Sequence, residues 1–167
     1  TPPLNPHSGG QVITGLKLNS SGTYQWHTFM GSSTIVYDIA VDRNGLVSVT
    51  GSSYATWDGP GSTPPLYPFA GGFLDIMVLK LNSSGAYQWH TFMGSSGDDY
   101  GSDIAVDANG AVNVAGHSFA TWDGPGSIPP LNPYNDPSGG DSDMVVFQIA
   151  SSQGRRVMRD CRSECSP

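Results

Sequence analysis

The chain has 167 residues, among them 22 Gly and 13 Pro, with only 13% charged residues and a formal net charge of −7. Four of its seven basic residues (Arg155, Arg156, Arg159, Arg162) fall in the last stretch, so the rest lacks the clustered positive charge that a nucleic-acid surface needs. No apolar run approaches the ~20 residues of a membrane-spanning helix, and a composition this poor in helix formers favours strands joined by turns.

In chain order, the first strand is expected at residues 12–18 ("VITGLKL") and the next at 24–29 ("YQWHTF"), joined by Asn19-Ser20-Ser21-Gly22. A loop, "GSSTIVY", leads to "DIAVD" at 38–42. Arg43-Asn44-Gly45 then makes a tight turn into 46–51 ("LVSVTG"), because Asn-Gly tolerates positive φ. A link of about twenty residues carrying "ATWDGPGS" precedes "DIMVLKL" at 75–81. Asn82-Ser83-Ser84-Gly85 turns into "YQWHTF" at 87–92, and the loop "GSSGDDYGS" follows. Then come "DIAVD" at 103–107, the turn Ala108-Asn109-Gly110, "AVNVAG" at 111–116, a second long link and "DMVVFQI" at 143–149.

The order is a repeat. "LKLNSSGTYQWHTFMGSS" from Leu16 returns from Leu79 with only Thr23 changed to Ala86, and the period is about 62 to 68 residues. Each unit is an antiparallel meander of four strands, A to D in sequence: "DIAVD", "LVSVTG", "DIMVLKL" and "YQWHTF". Copies at this period imply stacked supersecondary units sharing a continuous core. The expected fold is all-β, with tandem four-stranded antiparallel blades of a β-propeller. Residues 1–37 are a partial blade (strands C and D), 38–102 a complete blade, 103–150 a blade lacking its last strand, and 151–167 a divergent basic tail. That is about two and a quarter blades, an incomplete ring, since closure takes four or more. Thr1 lies inside a repeated motif, which reads as a piece of a longer array. The tight turns gather at one end of the sheets and the long loops at the other, where binding usually resides.

"DIAVDANGAVNVAGHS", "DMVVFQI" and "KLNSSGAYQWHTFMGSSGDDYGSDIAVD" together resemble the SBBP-type bacterial β-propeller repeat, over roughly residues 1–150. The resemblance implies a seven-bladed propeller and an extracellular or cell-surface location. It brings no general catalytic signature to any position. The chain departs from the pattern after Ile149, where "ASSQGRRVMRDCRSECSP" replaces the last strand and holds both cysteines.

Candidate residues are few. Trp57-Asp58 and Trp122-Asp123 sit in the long links with Tyr67 and Tyr134, and aromatics beside carboxylates can stack on and hydrogen-bond sugars. The simpler reading is that large rings fold back and plug their own blade. Asp98, Asp99 and Asp103 form an acidic group that could ligate Ca²⁺ through oxygen, although the loop before Asp38 lacks the first two. Asn19 and Asn82 head N-glycosylation sequons, and Asn-Ser-Ser-Gly is also ordinary turn chemistry. His27 and His90 recur at one strand position, which points to structure rather than catalysis, and no catalytic or phosphate-binding motif is found. Trp26 and Trp89 read as packing between blades. The expectation is a non-enzymatic, cofactor-free scaffold, adhesin or assembly element that associates through open sheet edges with further blades or other copies. The alternatives are a carbohydrate-binding module using the long links, and a non-catalytic part of a polysaccharide-acting enzyme.

Overall fold

A computed structural model describes residues 1–135 and 140–150; the basic tail expected at 151–167 lies outside them. The described chain has no helix and nine strands: β1 (Ile13–Leu18), β2 (Tyr24–Met30), β3 (Thr34–Val41), β4 (Val47–Ser53), β5 (Asp75–Leu81), β6 (Tyr87–Met93), β7 (Asp99–Val106), β8 (Val112–Ser118) and β9 (Asp143–Ile149). They form three antiparallel sheets in the orders β1-β2, β3-β4-β5-β6 and β7-β8-β9. These are the C-D, A-B-C-D and A-B-C groupings read from the repeat. The sheets do not close on one another into a ring.

The near-identical passages form strands in the same register and part only beyond them, where Gly31 and Ser33 take positive φ (78° and 51°) and Gly94 and Ser96 do not. Ile13 pairs with Met30 as Ile76 pairs with Met93, and a bulge falls between Lys17 and Leu18 as it does between Lys80 and Leu81. The A–B pairs also match, with a bulge between Val36 and Asp38 in one and between Gly101 and Asp103 in the other. The bulge explains why β3 and β7 begin four residues before the expected "DIAVD". Thr34, Ile35 and Val36, loop residues by sequence, pair with Ser53, Ser52 and Gly51 across it. Gly51 and Gly116 permit that geometry, because a Cβ at either would strike the carbonyl oxygen of Ile35 or Tyr100.

One side-chain device sets all four tight turns. Asp42 Oδ1 accepts the N–H groups of Asn44 and Leu46 at 2.8 and 2.9 Å, and Asp107 Oδ1 those of Asn109 and Ala111 at 2.8 Å each. Asn19 Oδ1 does the same for Ser21 and Thr23, and Asn82 Oδ1 for Ser84 and Ala86. Short Asx side chains suit this role because they mimic a backbone acceptor two residues on.

The sheets pack face to face around two cores. Ile13 and Met30 of the first sheet meet Val47, Val49, Met77, Leu79, Leu81 and Phe92 of the central one. On the other face of the central sheet, Ile76, Val78, Trp89 and Met93 meet Ile104, Val112 and Val114 of the third. Trp26 packs against the first core and Trp89 lies in the second, between sheets as the sequence implied. Strand β5 therefore buries every residue, whereas β1 alternates buried and exposed.

Candidate functional site

The long links do not stand out as free loops. In the central sheet the link returns along the outer edge of β6: Leu66 N–H donates to His90 O at 2.9 Å, and Phe92 N–H to Tyr67 O at 3.1 Å. Leu4 and Asn5 make the same pair of bonds with His27 and Phe29 of β2. The segment blunts an edge that would otherwise offer unpaired backbone groups.

Burial removes Trp57 as an exposed sugar platform, and the ring plugs its own sheet instead. Trp57 is 7% exposed and stacks on His90 with centroids 3.8 Å apart and planes 7° apart. His90 Nε2 donates to the Trp57 carbonyl at 2.8 Å, and Nδ1 lies 2.8 Å from Tyr87 Oη. Burial holds the His90 pKa below its ordinary value, against the pull of the Trp57 carbonyl and Asp58. Nε2 therefore carries the proton of a neutral ring, and Tyr87 donates to Nδ1. His27 keeps the tyrosine partner, Tyr24 Oη at 2.9 Å from its Nδ1.

The six aromatic and acidic link residues are not brought together. Trp57 joins the first core, whereas Tyr67 and Trp122 pack on the second. Asp58 and Asp123 are exposed, and Tyr134 Oη donates to Asp141 O at 2.6 Å. Nor do Asp98, Asp99 and Asp103 converge. Asp98 Oδ1 accepts Phe73 N–H at 3.1 Å, Asp99 turns inward, and Asp103 shares the N–H of Ile104 with Asp38 of the central sheet. Among the described residues no three His, Cys, Asp or Glu side chains form a metal-ligating group. At Asn19 and Asn82 the amide oxygens are engaged in the turns.

The surfaces that do stand out are two uncovered sheet faces. Ile39 on β3 and Ile104 on β7 hold the same repeat position, yet Ile39 is 59% exposed and Ile104 5%. Val78 on β5 is 0% exposed, while its counterpart Val146 on β9 is 67% exposed beside Met144. A third sheet covers Val78 and a full central sheet covers Ile104. In the described chain nothing covers the corresponding atoms at the ends. The leading face, around Leu16 and Leu18, continues into a cleft of about 640 Å³ between the first and central sheets, lined by Trp26, Ile39, Val41 and Leu81 among others. It opens where the two-stranded first sheet has no A and B strands to lay over β3.

No protein-family model matches the chain, and no curated protein matches it. The functional reading therefore rests on the repeat and its geometry. Sequence reasoning missed two features: the Trp57–His90 stack, and a pair of wholly buried aspartates, Asp75 and Asp99. No recurrence marked the stack, because only one unit carries both a Trp-Asp in its link and a strand-D histidine.

Proposed function

We propose that the chain is a structural repeat module of the β-propeller kind, a scaffold or assembly element of an extracellular or cell-surface protein, with no catalytic role of its own. Its uncovered faces receive further strands or sheets of the same repeat, the missing A and B strands over β3 and a further copy over β9, supplied by a longer array or by neighbouring chains. The observation that carries this reading is the contrast between Ile39 and Ile104, and likewise between Val146 and Val78. The same repeat position is dry where a neighbouring sheet reaches over it and bare where the neighbour lacks the covering strands, as at Ile39, or is absent, as at Val146. Contiguous bare apolar faces favour association. The blade assignment draws support from the period, the C-D, A-B-C-D, A-B-C grouping and the matched registers, and the likeness to SBBP-type repeats rests on the sequence motifs alone.

Sedimentation over a range of protein concentrations tests it. The reading expects concentration-dependent association, weakened by Val146→Lys and by Ile39→Lys with the strand content unchanged. A monomer at every concentration, indifferent to both substitutions, contradicts it.

A further inference from the structure

Asp75 opens β5 and Asp99 opens β7, so both stand at the junction of the central and third sheets. Each is fully buried. Asp75 Oδ2 accepts the Ala70 N–H at 2.5 Å, and Asp99 Oδ2 accepts the N–H and the hydroxyl of Ser95 at 2.7 and 3.0 Å. The remaining oxygen of each, Oδ1, is buried without a hydrogen-bond partner. Gly94 adjoins both: a Cβ there would lie 2.6 Å from Asp99 Oδ2 and 2.9 Å from Asp75 Oδ1. Glycine is what leaves space for two carboxyl groups at one point.

Among the described residues no cation offsets them. The charged groups acting on the pair there are Asp99 on Asp75 and Asp98 on Asp99, all acidic. The neighbouring Ser118 hydroxyl donates to Ala120 O at 2.8 Å. Two bare carboxylates in such a place are strongly disfavoured. A proton removes one charge and turns one orphan acceptor into a donor. Burial, resisted by the Ala70 N–H and reinforced by Asp99, pushes Asp75 up to about 7, and burial raises Asp99 as well, against the Ser118 hydroxyl and the N–H and hydroxyl of Ser95. Calcium takes about six to eight oxygen ligands, and among the described residues no third His, Cys, Asp or Glu joins the pair. At the first junction the same repeat positions are Val12 and Thr34, so this chemistry belongs to one junction only.

We propose that Asp75 and Asp99 form a proton-linked latch between the central and third sheets, closed while the pair holds at least one proton and loosened when both ionise. The folded chain then binds more protons than the unfolded chain between the ordinary carboxyl value of 3.8 and about 7. Stability contributed by the latch is full below that window and is lost as pH rises through it, by up to about tenfold in the unfolding equilibrium per pH unit for one proton. His90, held below its ordinary value of 6.5, acts with the opposite sign, so the latch is read as a difference between proteins.

The test is thermal unfolding of the full chain and of Asp75→Asn across that window, with and without added Ca²⁺. The latch predicts that wild type loses stability relative to Asp75→Asn as pH rises. Parallel profiles overturn it, as does a saturable Ca²⁺ stabilisation of wild type that Asp75→Asn abolishes. Should Asp75→Asn fail to fold, the infrared spectrum of the wild type decides. A protonated-carboxyl C=O band surviving to near neutral pH supports the latch, and a spectrum with all carboxyls ionised well below that overturns it.

Discussion

The two junctions between sheets are built from the same repeat positions and end differently. At the second, a complete central sheet faces β7, β8 and β9, and Ile104, Val112 and Val114 are dry. At the first, the partner sheet has two strands, so Val47 and Val49 are covered while Ile39 and Val41 remain bare. One sequence motif thus yields a core residue or a surface residue according to what lies over it. Stability in such a stack belongs to the junctions rather than to the units.

The largest way to break this comparison is through the long-link tryptophans. Trp57 is sandwiched against His90 and Phe92, whereas Trp122 has Phe147 edge-on at 6.3 Å and no strand-D histidine within its own sheet. Trp57→Ala is expected to cost about 3–5 kcal/mol, and Trp122→Ala clearly less, as read by denaturant unfolding. Equal losses would mean that the stack adds nothing. Next come the identical substitutions Val78→Ala and Val146→Ala. The first should cost about 1.5–3 kcal/mol and the second stay within about 0.5 kcal/mol.

A smaller effect sharpens the account of the turns, which are alike in both units. Asp42→Ala removes an acceptor for two backbone N–H groups and should cost about 1 kcal/mol, with Asp107→Ala matching it and Asp42→Asn milder because it keeps the oxygen. Smallest is the acid dependence at His90. Below 6.5 the unfolded chain binds a proton that the buried ring resists, so stability is intact above that value and falls as pH drops through the depressed one. The wild-type melting temperature should fall more steeply on the acid side than that of His90→Gln.

The strands were legible because their punctuation is local. Asn-Gly and Asn-Ser-Ser-Gly fix tight turns, and letter-for-letter copying forces equal registers in β1-β2 and β5-β6. Where prediction slipped, at the starts of β3 and β7, the pairing runs through a bulge that depends on Gly51 and Gly116 across the ladder. The candidate sugar-binding group failed to assemble because Trp57 and Tyr67 leave one loop toward opposite cores. That choice is made by neighbouring sheets rather than by the loop. In the sequence Asp75 is the first residue of a strand and Asp99 one of an acidic group, and nothing local marks either as buried.

Backbone hydrogen exchange, compared strand by strand, tests the central claim most directly. Strands β1 and β5 agree at four of six aligned residues, and β9 holds the same repeat position. If cover by neighbouring sheets sets stability, β5 amides exchange slowest, near the rate of global unfolding, while β1 and β9 exchange through easier local opening. Equal protection across all three would contradict the account.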